Sequence, residues 1–274
     1  AISGVFLTSI LLISSIVVPQ ADRILEEHAN RYLLAEATRA SERIDHWLGG
    51  RAAALRMLAL QLELSGLAPD DPAVKIQLVN TGIRFGDQFP NLYCGFEDGR
   101  LIATRGLALP DGFDPRTRPW YIAARAKRGL VFTEPFAEAR TGQLVFSIAY
   151  PLSMPVGGVL ATDVALSDLA GIAHAAFIHP EAAVMLVSKY GQVLYASEAG
   201  VAQAGERLEA IREDGLAAVL AQASIAGQAA GAVTLNGQAR HVLATPVASS
   251  EWRVLVYLPQ MAFEVAARVH AERR

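Results

Sequence analysis

Before its first charge, Asp22, the chain runs through 21 residues with an apolar centre: Val5, Phe6 and Leu7, then Ile10, Leu11, Leu12 and Ile13, then Ile16, Val17 and Val18. About 20 apolar residues carry a helix across a bilayer, and this run reaches that length with its serines and threonine tolerated. A cleavable leader has a shorter apolar core, about 7–15 residues, closed by a small-residue cleavage site. This run is longer and passes into a helical pattern without an A-x-A site. Residues 1–21 therefore predict a transmembrane helix that anchors the protein, the alternative being a buried core helix. The sequence begins at Ala1 and reads as a segment of a longer protein.

Helical periodicity continues beyond the anchor. Leu25, Tyr32, Ile44, Trp47, Leu48, Leu55, Leu58 and Leu62 recur at three- and four-residue spacings, with Ala29 and Ala40 on the same stripe and no proline from Asp22 to Leu64. At 1.5 Å per residue this stalk, residues 22–65, would be roughly 60 Å long. Gly49-Gly50 marks either a bend or a packing contact. Arg23, Arg31, Arg39, Arg43 and Arg51 read as a solvated face. One apolar stripe of this length packs a domain or a second subunit, so a homodimer through the stalk is expected.

Past a loop at 66–71 and a short helix at 73–85, the pattern changes to period two. Residues 93–96 and 101–104 around Glu97-Asp98-Gly99 read as a hairpin, and 119–128 as a helix opened by Pro119. Strands follow at 131–137, 144–151 and 158–166, then a helix at 167–178. The order recurs: strands 182–188 and 193–196, a helix at 208–223, strands 231–235, 241–246 and 252–258, and a final helix at 261–274. Two successive units with antiparallel strands and segregated helices make this an α+β chain. The units span 66–178 and 179–260.

Composition narrows the chemistry. A net charge of −3, from 24 basic and 27 acidic residues, lacks the basic footprint of a nucleic-acid binder. The single cysteine, Cys94, excludes a disulfide framework within the chain. His28, His46, His174, His179, His241 and His270 are scattered without metal-ligand spacing. No G-x-S-x-G elbow and no glycine-rich phosphate loop occurs. No metal, cofactor or catalytic residue is expected.

One region does concentrate recognition chemistry. Arg118, Trp120 and Tyr121 open the helix at 119–128 beside the first sheet. A guanidinium suits a carboxylate or phosphate bidentately, and the two aromatics offer rigid walls with a polar handle each. Alternation puts Ala161, Asp163 and Ala165 on one face of their strand, matched by Val145, Ser147 and Ala149 on the strand before. The opposite face is bulky: Leu160, Thr162 and Val164 with Phe146 and Ile148. A small-residue face around a lone carboxylate leaves room for a ligand, with Arg118 for an acid group and Asp163 for an amine. The competing reading is an internal Arg118–Asp163 salt bridge with nothing bound.

The run Phe113-Asp114-Pro115-Arg116-Thr117-Arg118-Pro119-Trp120-Tyr121, followed by Thr133-Glu134-Pro135-Phe136, Ala149-Tyr150-Pro151-Leu152 and Gly158-Val159-Leu160-Ala161-Thr162-Asp163, resembles the double Cache sensor domains. These are extracytoplasmic ligand-binding regions of bacterial chemoreceptors, sensor histidine kinases and cyclases. The resemblance covers about residues 21–274. It implies two tandem PAS-like modules on antiparallel sheets, the first membrane-distal and ligand-binding, and a second transmembrane segment after the final helix. It also implies a sensor region outside the cytoplasm on the bacterial inner membrane. In the amino-acid-binding subgroup, positions matching Arg118, Trp120 and Tyr121 hold a ligand carboxylate and Asp163 its amino group. That subgroup has tyrosines where this chain has Phe113 and Phe136, which leaves a less polar amine, a purine or a carboxylate open as ligand. The expected function is small-molecule sensing by binding. The alternatives are an anchored structural or partner-binding module and an anchored enzyme.

Overall fold

A single helix, α1 (Ile2–Leu64), opens the chain and runs through Gly49-Gly50 unbroken. The computed structural model describes residues 2–86, 89, 91–104, 109–153, 156–174, 182–211 and 213–260, without the side chains of residues 2–19, 21–26, 28–29 and 213–214. The side chains behind the expected anchor at residues 1–21 thus lie almost wholly outside the described residues, as does the expected helix at 261–274. No helix among the described residues is long and apolar enough to cross a membrane. A Cβ at Gly49 or Gly50 would meet nothing within 4 Å, so this pair is not a close packing contact.

After α1 come α2 (Pro72–Phe85), the hairpin β1 (Leu92–Gly95) and β2 (Leu101–Ala103), and α3 (Pro119–Lys127). The expected strand at 131–137 is two short ones, β3 (Val131–Phe132) and β4 (Phe136–Ala137), because Pro135 between them has no N–H for the ladder. Next come β5 (Leu144–Pro151), β6 (Val159–Ala165) and α4 (Leu166–His174), and then β7 (Ala183–Val187) and β8 (Val193–Ala196). The helix expected at 208–223 is a correction. A 3-10 turn at Leu208–Ala210 and a short strand, β9 (Glu213–Asp214), come first. Only after Gly215, at φ 89°, does α5 (Leu216–Ala226) begin. The chain closes on β10 (Ala229–Leu235), β11 (Gln238–Pro246) and β12 (Arg253–Pro259).

Among the described residues the strands form two antiparallel sheets, in order β2-β1-β6-β5-β3, with β4 also on β5, and β8-β7-β12-β11-β10-β9. The first five strands of each follow the same plan. The hairpin sits at one edge, and the last strand of the unit lies between the hairpin and the strand preceding it. The α+β architecture and its repetition agree with the sequence reading.

Stalk and sheets share one core. Leu33, Ala37, Ala40, Ile44, Leu48, Leu55, Leu58 and Leu62 of α1 are buried against Phe146, Ile148, Leu160 and Val164 of the first sheet and Val184, Leu243, Val254 and Val256 of the second. That is the period of one helical face. Polar ties add register: Ser41 donates to the Pro246 carbonyl, the Ser249 N–H to Asp45 at 2.7 Å and the Ser153 N–H to Glu63 at 2.6 Å. Ser188 of the second unit donates to Glu134 of the first.

His241 on β11 stands 2.6 Å from Asn30 Oδ1 on α1 and is 8% exposed. Burial lowers its pKa from 6.5 to about 4. With the folded value below the unfolded one, stability is complete above pH ~6.5 and is lost as pH falls through about 4. The loss is on the order of 3 kcal/mol at one unit per 1.36 kcal/mol. Urea denaturation at stepped pH should show a shallower acid-side decline for His241→Gln between pH 6.5 and 4; an unchanged decline would assign it to carboxylates alone.

Candidate ligand-binding site

Register decides which side chains share the outer face of the first sheet. Ser147 pairs with Asp163, Ala149 with Ala161 and Val145 with Ala165 across β5 and β6, and β1 brings Tyr93 opposite Ala161. This is the small-residue face expected from alternation. Over it lies α3, whose Trp120, Tyr121 and Ala124 pack on Tyr93, Val131, Ala149 and Ala161. The helix can approach because Gly95 has no side chain: a Cβ there would lie 2.6 Å from the Trp120 ring.

Arg118 is the residue before the first turn of α3, extended at φ −84° and ψ 147°, with Pro119 as the first helical residue. Its backbone N–H donates to the Pro115 carbonyl at 3.1 Å, which fixes where its side chain leaves the chain. The guanidinium donates to the Ala137 carbonyl at 3.3 Å. It lies 5.8 and 5.7 Å from the ring centres of Phe113 and Phe136, within cation–π range. Trp120 is buried and meets Tyr93 edge-on at 4.9 Å.

These elements line a cleft open to solvent, formed by Phe113, Arg118, Trp120, Phe136 and Asp163, together with Tyr93, Leu101, Leu109, Glu138 and Ala139. Five of the six residues singled out from sequence therefore meet at one cavity. Tyr121 does not line it: its ring packs edge-on against Trp120 at 5.7 Å and is almost wholly buried. Tyr121 therefore supports the wall that Trp120 forms. Arg118 and Asp163 make no salt bridge among the described residues, whose ion pairs lie elsewhere.

Asp163 accepts hydrogen bonds from Tyr93 Oη at 2.5 Å and Ser147 Oγ at 2.6 Å. Burial raises its pKa above the usual carboxylate value; the two hydroxyl donors and Arg118 pull against that, and Glu138 adds to it. Glu138 is the acidic residue that the sequence reading passed over. Burial works against its charge, but donors from Thr141 and the Arg140 N–H outweigh it and hold its pKa below the usual value. Two acidic residues, Asp163 and Glu138, thus line the cleft with Arg118. Period two from Phe136 would have placed Glu138 on the same side. Tyr93 gave no such signal, since β1 and β6 are far apart in sequence. No group of three or more His, Cys, Asp or Glu could hold a metal ion among the described residues.

Two tandem units on one stalk, with the cleft in the first, define the class: the fold is that of a double Cache ligand-binding region of the chemoreceptor type. The chain is 30% identical over 173 residues to the methyl-accepting chemotaxis protein PctB of Pseudomonas aeruginosa, covering 62% of this chain and 27% of that protein. It is similar to the ligand-binding domain of the Pseudomonas fluorescens chemoreceptor CtaA in complex with L-serine, at 26% identity and a TM-score of 0.69, covering 85% of this chain and 98% of that one. The ligand-binding domain of the Pseudomonas aeruginosa chemoreceptor PctC in complex with GABA matches at 28% identity and a TM-score of 0.65, covering 83% and 98%. The chain spans about a quarter of the length of the curated relatives it matches. No family model matches it.

Proposed function

We propose that this chain is the small-molecule sensor region of a transmembrane signalling receptor, and that the cleft under α3 takes a ligand carrying an amine. The observation that carries this reading is the unpaired arrangement of Asp163 and Arg118 in one cavity. A buried carboxylate and a guanidinium that do not neutralise each other leave each free to meet a ligand group. Asp163 would receive an ammonium and Arg118 an acid group. L-serine and GABA, the ligands in the CtaA and PctC complexes, each carry both. Glu138 tips the cleft towards cations, and Phe113 and Phe136 make its walls less polar than tyrosines would.

Around this site we assign residues 1–21 to a membrane-spanning helix, 22–65 to the stalk, 66–178 to a membrane-distal ligand-binding module and 179–260 to a membrane-proximal module. Residues 261–274 would lead to a second membrane segment, which places the sensor region outside the cytoplasm. The uncharged run before Asp22 and the unbroken backbone of α1 support the anchor. Met57, Leu60 and Leu64, exposed on the outer face of α1, support a homodimer through the stalk.

The full chain in detergent should be thermally stabilised by at least one of GABA, L-serine, L-arginine and 2-phenylethylamine. Binding to the folded state alone contributes about 2.7 kcal/mol at a hundredfold excess over Kd. Stabilisation by propionate alone, with none from any amine, would overturn the amine reading.

A further inference from the structure

The two oxygens of the Asp163 carboxylate have different surroundings. Oδ1 takes both hydroxyl donors, Tyr93 Oη at 2.5 Å and Ser147 Oγ at 2.6 Å. Among the described residues no hydrogen bond reaches Oδ2. A carboxylate has about four acceptor sites, so half its capacity is spent on one oxygen, on the sheet side. The donors are themselves held. Tyr93 is 4% exposed, with its ring edge-on to Trp120. Ser147 is fully buried, and Thr133 fixes its backbone: the Ser147 N–H donates to Thr133 Oγ1 at 2.8 Å, and the Thr133 N–H donates to the Ser147 carbonyl at 3.0 Å.

We propose that Tyr93 and Ser147 are positioning residues: they clamp Oδ1 of Asp163 against the sheet and so present Oδ2 to the cleft as the acceptor for a ligand's ammonium group. The proposal rests on the reading of the cleft as an amine site. The clamp also accounts for the missing ion pair, because a carboxylate turned by two donors from β1 and β5 is not free to swing towards Arg118. Hydrogen bonds to a charged form favour that form, so the same two hydroxyls work for ionisation of Asp163 against the effect of its burial. Glu138 works against ionisation from the cleft side, and Arg118 works for it.

The experiment is a carboxyl carbon NMR titration of Asp163 in the full chain without ligand, with the resonance assigned by its loss in Asp163→Asn. Tyr93→Phe keeps the ring and its contact with Trp120; Ser147→Ala removes the other donor and serves alone if Tyr93→Phe does not fold. Each substitution should raise the Asp163 midpoint by about one pH unit, the order expected for losing a hydrogen bond to a charged group. A lowered melting temperature with an unmoved midpoint would reduce both residues to packing and overturn the clamp. A second titration with GABA present tests the reading beneath it. The Asp163 resonance should move on GABA addition, and the lowest pH at which it still moves should be about one unit higher in each variant. If GABA never moves that resonance while the midpoints shift as expected, the amine reading fails, and with it the presentation of Oδ2, although the hydroxyl contacts stand.

Discussion

Asp163→Asn is expected to weaken binding of an amine-bearing ligand by about a hundredfold or more. Removing one partner of a desolvated, hydrogen-bonded charge pair typically costs 2–5 kcal/mol, and 1.4 kcal/mol is tenfold in Kd. Asparagine keeps the size of the side chain and can still accept from Tyr93 and Ser147, so the cleft keeps its shape. The unliganded protein should behave oppositely. Burial raises the folded pKa of Asp163 above its unfolded value. Carboxylate burial therefore costs stability progressively as pH rises through the interval between those two values, and the whole cost is present above the folded value. Asp163→Asn escapes it, and its ligand-free melting temperature at pH 7 should equal or exceed that of the parent. Calorimetric titration with the amine that stabilises the parent most, run beside a melting curve, reads both effects. Lost binding together with lost stability would return Asp163 to a structural role. Arg118→Ala should produce a comparable loss only for ligands that also carry an acid group.

Trp252→Ala should cost about 3–5 kcal/mol of stability, the range for truncating a fully buried large aromatic. Trp252 is 1% exposed and immediately precedes β12, yet its ring meets Phe146 of β5 at 4.9 Å and Phe132 of β3 at 5.9 Å, both edge-on. The residue thus belongs to the second unit by sequence and to the back of the cleft-bearing sheet by packing. Such aromatic pairs add about 0.5–1.5 kcal/mol beyond the area they bury. Urea denaturation followed separately by first-unit and second-unit fluorescence probes should give coincident transitions for the parent. For Trp252→Ala the midpoints should fall and separate. A change below about 1 kcal/mol with coincident transitions would show that the stalk and the Ser188–Glu134 hydrogen bond join the units without Trp252.

Much of this was legible along the chain because it depends on neighbours in sequence. Period two on 144–151 and 159–165 separated the face of Ser147, Ala149, Ala161 and Asp163 from the face of Phe146, Ile148, Leu160 and Val164, and the core composition agrees. The stalk stripe was read from Leu25 to Leu62, since a helical face repeats within a few residues. Of its described members, Ala40, Ile44, Leu48, Leu55, Leu58 and Leu62 are buried, and Tyr32 and Trp47 are partly so. Pro119 announced the start of α3, and with it the position of Arg118. The helix expected at 208–223 failed for a local reason as well: Gly215 at positive φ begins a later helix, and the preceding residues Glu213 and Asp214 join β10 as an edge strand.

Tertiary structure alone decided what crosses long intervals of sequence. The pairing of β1 with β6 carries Tyr93 to Asp163, 70 positions away. Alternation specifies a face but not the partner strand, so the donors that hold the Asp163 carboxylate could not be read from spacing. Tyr121 and Trp120 are adjacent in sequence and looked alike, but successive residues on a helix point about 100° apart; one ring faces the cleft and the other lies behind it. Whether Arg118 and Asp163 would neutralise each other was open for the same reason. Residue types made either outcome possible, and only the folded geometry, with Arg118 bonded to the Ala137 carbonyl and Asp163 to two hydroxyls, kept the charges apart.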